Sequence, residues 1–204
     1  LTKTSRKNVI FLQIISGIII FSKYPIINRH TITTYPNDYN SIFQYVDIVK
    51  DADTLRVFNI HLQSLKFNPV NLQYIDNPTI ESETDIEKSK NILGKFKRGF
   101  LRRKLQADRI KEEIDKSPFP VIVCGDFNDV PNSYAYETIG KNLQNSFEKK
   151  GVGLGRTFSG IASSLRIDNI FVDQHYEVNQ YVRIAKKLSD HFPIITDITV
   201  NPGK

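Results

Sequence analysis

The chain contains no methionine, one cysteine and only four histidines in 204 residues. The lone Cys124 excludes an internal disulfide framework and a cysteine-cluster metal site. It sits in an apolar run, where it reads as a buried, inert thiol. Methionine is missing even at the first position, and the opening LTKTSRKN has no signal-peptide pattern. That reads either as a piece of a longer chain or as a sequence from which modified methionines have dropped out, with some spacings then short by a residue. No apolar run is long enough to span a membrane. NVIFLQIISGIIIF (8 to 21) is interrupted by Gln13, Ser16 and Gly17 and falls short of the ~20 residues required. Its β-branched content predicts core strand. There is no internal repeat and no low-complexity linker.

What is present is the mix of an ordinary globular chain, 40% hydrophobic and 25% charged. The length suits one domain with a sizeable core. The net charge of +6 suits a polyanionic partner, such as nucleic acid, an acidic membrane surface or a phosphate ester.

The pattern along the chain is strands mixed with few helices. IIIFSKYPIIN (18 to 28) predicts a strand ending at a Tyr-Pro turn. IFQYVDIV (42 to 49) and LRVFNIHL (55 to 62) predict a hairpin around the Asp-Ala-Asp turn at 51 to 53. Residues 80 to 115 are charged and helical, with Ile92, Phe96, Phe100, Ile110 and Ile114 at helical spacing. Pro118 and Pro120 end that helix. VIVCGDF (121 to 127) is a short, continuously apolar strand of the kind buried on both faces. Residues 131 to 144 predict a helix opened by Pro131, GVGLG (151 to 155) is a loop, and RIDNIFV (166 to 172) and IITDITV (194 to 200) are strands. Hairpins among few helices argue for an α/β or α+β sandwich rather than a doubly wound parallel sheet.

Four strand ends carry polar residues that a core does not select. Asn59 and His61 are two apart in VFNIHL, so both point to one face. Asp126 and Asn128 repeat that spacing in CGDFND. Asp168 interrupts LRIDNIF, and Asp190 and His191 precede the last strand. Each alone has an ordinary structural reading, as a satisfied histidine, a turn, an edge or a cap. Together, carboxylates, amides and histidines at strand ends are what a metal-assisted hydrolytic site at a sheet rim requires.

HL at 61–62, GDFN at 125–128, RID at 166–168 and SDH at 189–191 occur in the order found in the endonuclease/exonuclease/phosphatase superfamily, which the chain resembles from about residue 17 to 200. FSKYPI (21 to 26), NIHLQS (59 to 64), Pro131 with Ser133 and Tyr134, and GVGLGRTF (151 to 158) fit the same pattern. It is most similar to bacterial members assigned no more finely than the superfamily. The resemblance implies an α/β (α+β) fold of two packed, mostly antiparallel sheets flanked by helices, a four-layer deoxyribonuclease I-like sandwich. It implies a Mg²⁺- or Mn²⁺-dependent phosphoesterase acting by water attack, whether nuclease or lipid or sugar phosphatase. His191 would face the scissile phosphate as base or stabiliser, with Asp168 hydrogen-bonded behind its ring. Asp190 would bind the cation. Asp126 would activate water, Asn128 and His61 would contact the phosphate, and Asn59 would support them.

The superfamily pattern also has an Asn on its first strand and a metal-binding Glu, usually in a QE pair, before the SKYPI-like strand. Neither is visible here: Gln13 is followed by Ile14, and no glutamate precedes Glu81. Residues 1 to 204 are therefore expected to be one domain lacking its first strands, and this segment alone to be poorly soluble or inactive. The other reading is a member without catalysis that binds a phosphorylated ligand or a protein. A first-strand Asn and a QE pair upstream of Leu1 would discriminate the two. The basic run KFKRGFLRRK (95 to 104) reads as DNA- or membrane-facing, or as the solvated side of a helix packing Phe96 and Phe100 inward. Expected partners are a phosphate-ester substrate, either nucleic acid or a phospholipid headgroup, with no protein partner indicated and a monomer as the expected state. Localisation is open, since upstream residues could carry a signal or membrane segment.

Overall fold

The computed structural model describes residues 17–32, 42–65, 69–78, 82–159 and 165–200. Strands β2 (Ile42–Lys50) and β3 (Asp53–His61) form the expected hairpin. Lys50 pairs with Asp53, leaving a two-residue turn in which Asp51 takes a positive φ of 56°, as hairpin turns of this length require. β1 (Ile26–Ile32) pairs antiparallel with β2. It begins after the Tyr-Pro pair rather than ending there, because Pro25 has no N–H for the ladder and offers only its carbonyl, to Val49 N at 3.0 Å. Residues 17 to 22 pair with no strand. The part of the expected strand at 8 to 16 lies outside the described residues.

The parallel crossover from β3 to β4 (Val121–Asp126) runs through α1 (Pro69–Asp76) and α2 (Glu83–Asp115), the kind of connection parallel strands need. After β4 come α3 (Tyr134–Gly140), β5 (Leu143–Asn145), α4 (Ser146–Lys150), β6 (Asp168–Asp173), β7 (Tyr176–Arg183) and β8 (Ile194–Val200). The main sheet has the order β1-β2-β3-β4-β6-β5, and β7 and β8 form a second sheet. Every pairing except β3–β4 is antiparallel. The helix expected over 131 to 144 is shorter. Pro131 lies in the preceding turn, Ser133 caps the helix by accepting from Tyr136 N, and Asn142 at φ 67° turns the chain into β5. α1, β5, α4 and β7 have no counterpart among the sequence-based expectations.

Each face of the main sheet has its own core. On one face Ala107, Ile110 and Ile114 of α2 and Ala135, Tyr136 and Ile139 of α3 pack on Phe43, Phe58, Ile60, Val123 and Phe171. On the other, Ile122, Cys124, Ile170 and Val172 meet Tyr176, Val178, Ile194 and Ile198 of the second sheet. Each fully buried Val, Ile or Phe among them contributes about 1.5–3 kcal/mol by leaving water. The result is the expected α/β sandwich, with helices, main sheet and second sheet as the layers built by the described residues. Among these residues no helix is long and apolar enough to cross a membrane.

α2 is 33 residues long. Its buried stripe runs Ile92, Gly99, Arg103, Gln106, Ala107, Ile110, Ile114. Phe100, expected to face inward, is half exposed, because Gly99 and Arg103 occupy the inner face at that turn.

Candidate active site

Strand alternation explains which residues meet. In β3 the side chains of Arg56, Phe58 and Ile60 are buried toward the helices, so Leu55, Val57, Asn59 and His61 point the other way. In β4 that second face carries Ile122, Cys124 and Asp126, and in β6 it carries Asp168, Ile170 and Val172. The register then aligns them. Asn59, Cys124 and Ile170 are neighbours across the three strands, and the next step along is His61, Asp126 and Asp168. Cys124 and Ile170 still touch the second sheet. One residue pair further on, the apolar layer stops and the row becomes a histidine flanking two carboxylates.

His191 is brought over this row from outside the main sheet. Phe158 and His191 form an isolated antiparallel bridge, with Phe192 N donating to Thr157 O at 2.7 Å and Ser159 N to Asp190 O at 2.7 Å. The hydroxyl of Ser189 accepts from His191 N at 3.0 Å. Phe158 lies edge-on to the imidazole, ring centres 5.1 Å apart. Nδ1 of His191 is then 2.8 Å from Oδ2 of Asp168, and its Nε2 is 4.0 Å from Oδ2 of Asp126. His61 approaches the same oxygen from the other side, Nε2 at 3.6 Å.

Asp126 is held by Asn128, whose backbone N–H donates to Oδ1 at 2.7 Å and whose amide donates to Oδ2 at 2.9 Å. Asn128 adopts φ 47°, a conformation asparagine tolerates better than most residues. Its amide also donates to Leu62 O at 3.0 Å. Both amide hydrogens are thus taken up, so here Asn128 positions Asp126 instead of presenting the expected free donor to a phosphate. The Asn59 amide donates to Ile19 O at 3.1 Å. Asn59 and its cross-strand partner Gln44, which donates to Ile18 O, thus tie residues 18 and 19 to the β2–β3 hairpin.

Burial of Asp126, reinforced by the adjacent Asp168 charge, pushes its carboxyl up to about 6. The hydrogen bond that His191 donates to Asp168 raises its imidazole to about 8, against the opposing effect of burial. A carboxyl that holds its proton more tightly than usual and a histidine that keeps its own stand 4.0 Å apart. A carboxyl and an imidazole perturbed side by side in this way characterise acid–base sites.

Asp126, Asp168 and His191 bring ligand atoms within 4.8 Å of one another, two hard oxygen donors and an imidazole that a divalent ion accepts. No glutamate belongs to that group. Its oxygens are partly committed, Asp168 Oδ2 to His191 and both Asp126 oxygens to Asn128. The neighbouring Asp190 is exposed, and its carboxylate lies outside that group. The donor set of two carboxylates and an imidazole fits a hard divalent cation.

Several residues that build the site have no sequence-based expectation. Thr157, fully buried, accepts at Oγ1 from Ile167 N and Asp168 N, both at 3.0 Å. Arg103, 1% exposed, donates to Asp129 Oδ2 at 2.9 Å and to Gln63 O at 3.1 Å. Gln106 accepts from Gln63 N at 2.9 Å. One guanidinium thus ties together the segment after His61 and the segment after Asn128. The signal was available: Arg103 and Gln106 lie on the same helical stripe as Ile92, Ile110 and Ile114.

The endonuclease/exonuclease/phosphatase family model matches residues 13–191, and the chain belongs to that family, a family of phosphoester hydrolases. No curated protein matches it. Solved structures share the deoxyribonuclease I-like α/β fold at low identity. An endonuclease/exonuclease/phosphatase protein from Bacteroides vulgatus superposes with a TM-score of 0.60 at 20% identity, covering 88% of this chain and 67% of that one. The mannosyl-6-phosphatase of Bacteroides thetaiotaomicron VPI-5482 gives 0.56 at 19%, covering 87% and 67%. TDP2 from D. rerio, complexed with a single-strand DNA product, gives 0.58 at 13%, covering 86% and 68%. The chain spans about two thirds of the length of these structures.

Proposed function

We propose that the protein is a metal-dependent phosphoesterase that hydrolyses a phosphodiester or phosphomonoester by direct attack of water. The observation that carries this is the row His61–Asp126–Asp168 with His191 seated over it, Nδ1 bonded to Asp168 and Nε2 turned toward Asp126. Asp168 fixes the imidazole so that Nε2 carries a proton at neutral pH and faces the phosphate as a donor. Asp126, with its raised proton affinity, accepts the proton of the attacking water. Asn128 holds Asp126 in place, and His61 approaches the phosphate from the opposite side. Asp190 contributes its carboxylate to Mg²⁺ or Mn²⁺. The ion, when bound, polarises the phosphoryl oxygen and offsets charge on the leaving group. The relatives act on, or are seen with, a sugar phosphate and a DNA strand, which supports a phosphate ester as substrate.

The test is turnover by the full-length protein on a panel of nucleic acid, sugar phosphate and phospholipid headgroup esters, with Mg²⁺ and with EDTA. His191→Ala is expected to reduce kcat by roughly 10²–10⁴-fold, the range of positioned proton transfer. EDTA is expected to abolish activity and Mg²⁺ to restore it. Full activity in His191→Ala, or in EDTA, would sink the assignment.

A further inference from the structure

Beside the catalytic row, α2 and the segment after β3 enclose a groove of about 210 Å³. Gln63 and Leu65 line one wall; Lys95, Arg98, Gly99 and Arg102 line the other. The three cations recur at i, i+3 and i+7, so they share one helix face and span about 10 Å of it. No carboxylate lines the groove. Arg102 Nη1 donates to Gln63 Oε1 at 3.2 Å, and Lys95 bonds Asn71. Arg98 is exposed and has no ion-pair or hydrogen-bond partner among the described residues. Gly99 lies in the α2 wall with Leu65 packed against it. A Cβ there would lie 2.3 Å from Leu65 Cδ2, so a larger residue would have to displace the Leu65 side chain that lines the groove.

The groove adjoins the catalytic row. Gln63 is two residues past His61, a reach of at most about 7 Å, and Leu62 O between them accepts from Asn128. Its volume is below the roughly 300–1,000 Å³ of sites that hold drug-sized molecules, and suits a single tetrahedral anion. Guanidinium and ammonium groups without a competing acid are the chemistry that recognises phosphate.

We propose that this groove is a second anion subsite, which takes a phosphate of the substrate other than the one cleaved. The proposal rests on the phosphoesterase reading of the row. The second phosphate belongs either to the next linkages of a nucleic-acid strand or to a small molecule with two phosphates, and the chemistry at Arg98 is the same.

Binding can be read without turnover, on the full-length protein in EDTA. One arm measures anisotropy of a labelled oligothymidylate across a salt series, and the other measures pyrophosphate by calorimetry. Arg98→Glu is expected to weaken at least one ligand about tenfold. If the oligonucleotide is affected, the slope of log K against log salt drops by about one. Lys149→Glu, a basic residue on α4, is expected to change neither by more than about twofold. Loss for the oligonucleotide alone identifies a strand, and loss for pyrophosphate identifies a small phosphorylated substrate. If wild type binds neither ligand, if Arg98→Glu binds both as wild type does, or if Lys149→Glu weakens binding equally, the subsite is refuted. Arg98-dependent binding by a protein that cleaves nothing in the panel would instead refute the phosphoesterase reading and leave the subsite standing.

Discussion

Replacing Arg103 by methionine tests how the site is held. The side chains of Arg103 and Asp129 are 2% and 6% exposed and 2.9 Å apart. Methionine keeps much of the packed volume but removes the counter-charge of Asp129 and the donor to Gln63 O. Among the described residues Asp129 then retains the Val130 N–H, at 3.1 Å. Breaking a buried pair from one side costs about 3–5 kcal/mol. The lost hydrogen bond to Gln63 O adds about 0.5–1.5 kcal/mol. Against a domain stability of about 5–15 kcal/mol, Arg103→Met should sit near the edge of folding, with Tm lowered on the order of 10 °C. Denaturant unfolding followed by circular dichroism gives the free energy, and Asp129→Asn with the double variant completes the cycle. The double variant is expected to be less destabilised than the sum of the singles by about 1–3 kcal/mol, because its partner charge is gone. Strict additivity, or a single-variant loss below about 1 kcal/mol, would show that the pair is not the clamp described.

Asp168→Asn should lower the titration of the His191 ring from about 8 toward or below its ordinary 6.5, followed by NMR of the imidazole in EDTA. The raised value means that the stabilisation His191 gains from Asp168 is fully present below pH 6.5 and lost as pH rises through about 8, and the variant should lack that dependence; an unmoved midpoint refutes the role of Asp168. Asp47 pairs with Arg56 through two bonds of 2.7 and 3.0 Å. Burial alone would raise the Asp47 carboxyl, but the bonds from Arg56 and Asn28 outweigh it and hold it below the ordinary 3.8. Its contribution is therefore present above pH 3.8 and lost as pH falls through the depressed value. Asp47→Asn should be less stable at pH 7 and lose less on acidification, and an unchanged acid limb in urea unfolding counts against this. Thr157→Val removes the acceptor shared by Ile167 N and Asp168 N and should cost about 1–3 kcal/mol, with kcat falling more than KM rises; equal stability and turnover would place those N–H groups on another acceptor.

Most strands and the long helix were legible because they obey simple periods. The hairpin at 42 to 61 alternates, β4 opens on a continuous apolar run, β6 has an apolar centre in Ile170, Phe171 and Val172, and α2 repeats every three to four residues. What escaped had weaker local signals. β7 reads YEVNQYVR and carries a bulge between Val178 and Gln180, so its alternation breaks. α4 is one turn, capped by Asn145, whose side chain accepts from Phe147 N and Glu148 N. Of the candidate site residues, His61, Asp126, Asp168, His191 and Asn128 come together as the motifs suggested. Of their supports, Thr157 had no local signal, and Arg103 inside KFKRGFLRRK looks like one more solvated cation until its helical stripe is traced.

The motifs mark residues, but register makes them a site. NIHL, GDFN and RID contribute one residue each to the row because His61 pairs with Asp126 and Asp126 with Asp168. A slip of one residue in either pairing would turn a side chain onto the helix-packed face. Gly125 guards that register. It has φ 145°, and a Cβ there would lie 1.9 Å from Ile60 O, a backbone atom that cannot swing aside. Gly125→Ala must therefore either push β3 away from β4 or break their ladder next to His61. The cost should be on the order of 3 kcal/mol from overpacking and a disallowed backbone conformation. Hydrogen exchange is the discriminating measurement, because protection should fall first at Leu62 N, which donates to Asp126 O at 2.9 Å, while the β1–β2 amides keep theirs. An alanine variant with wild-type stability and full protection at Leu62 would mean that the β3–β4 pairing tolerates what this geometry forbids.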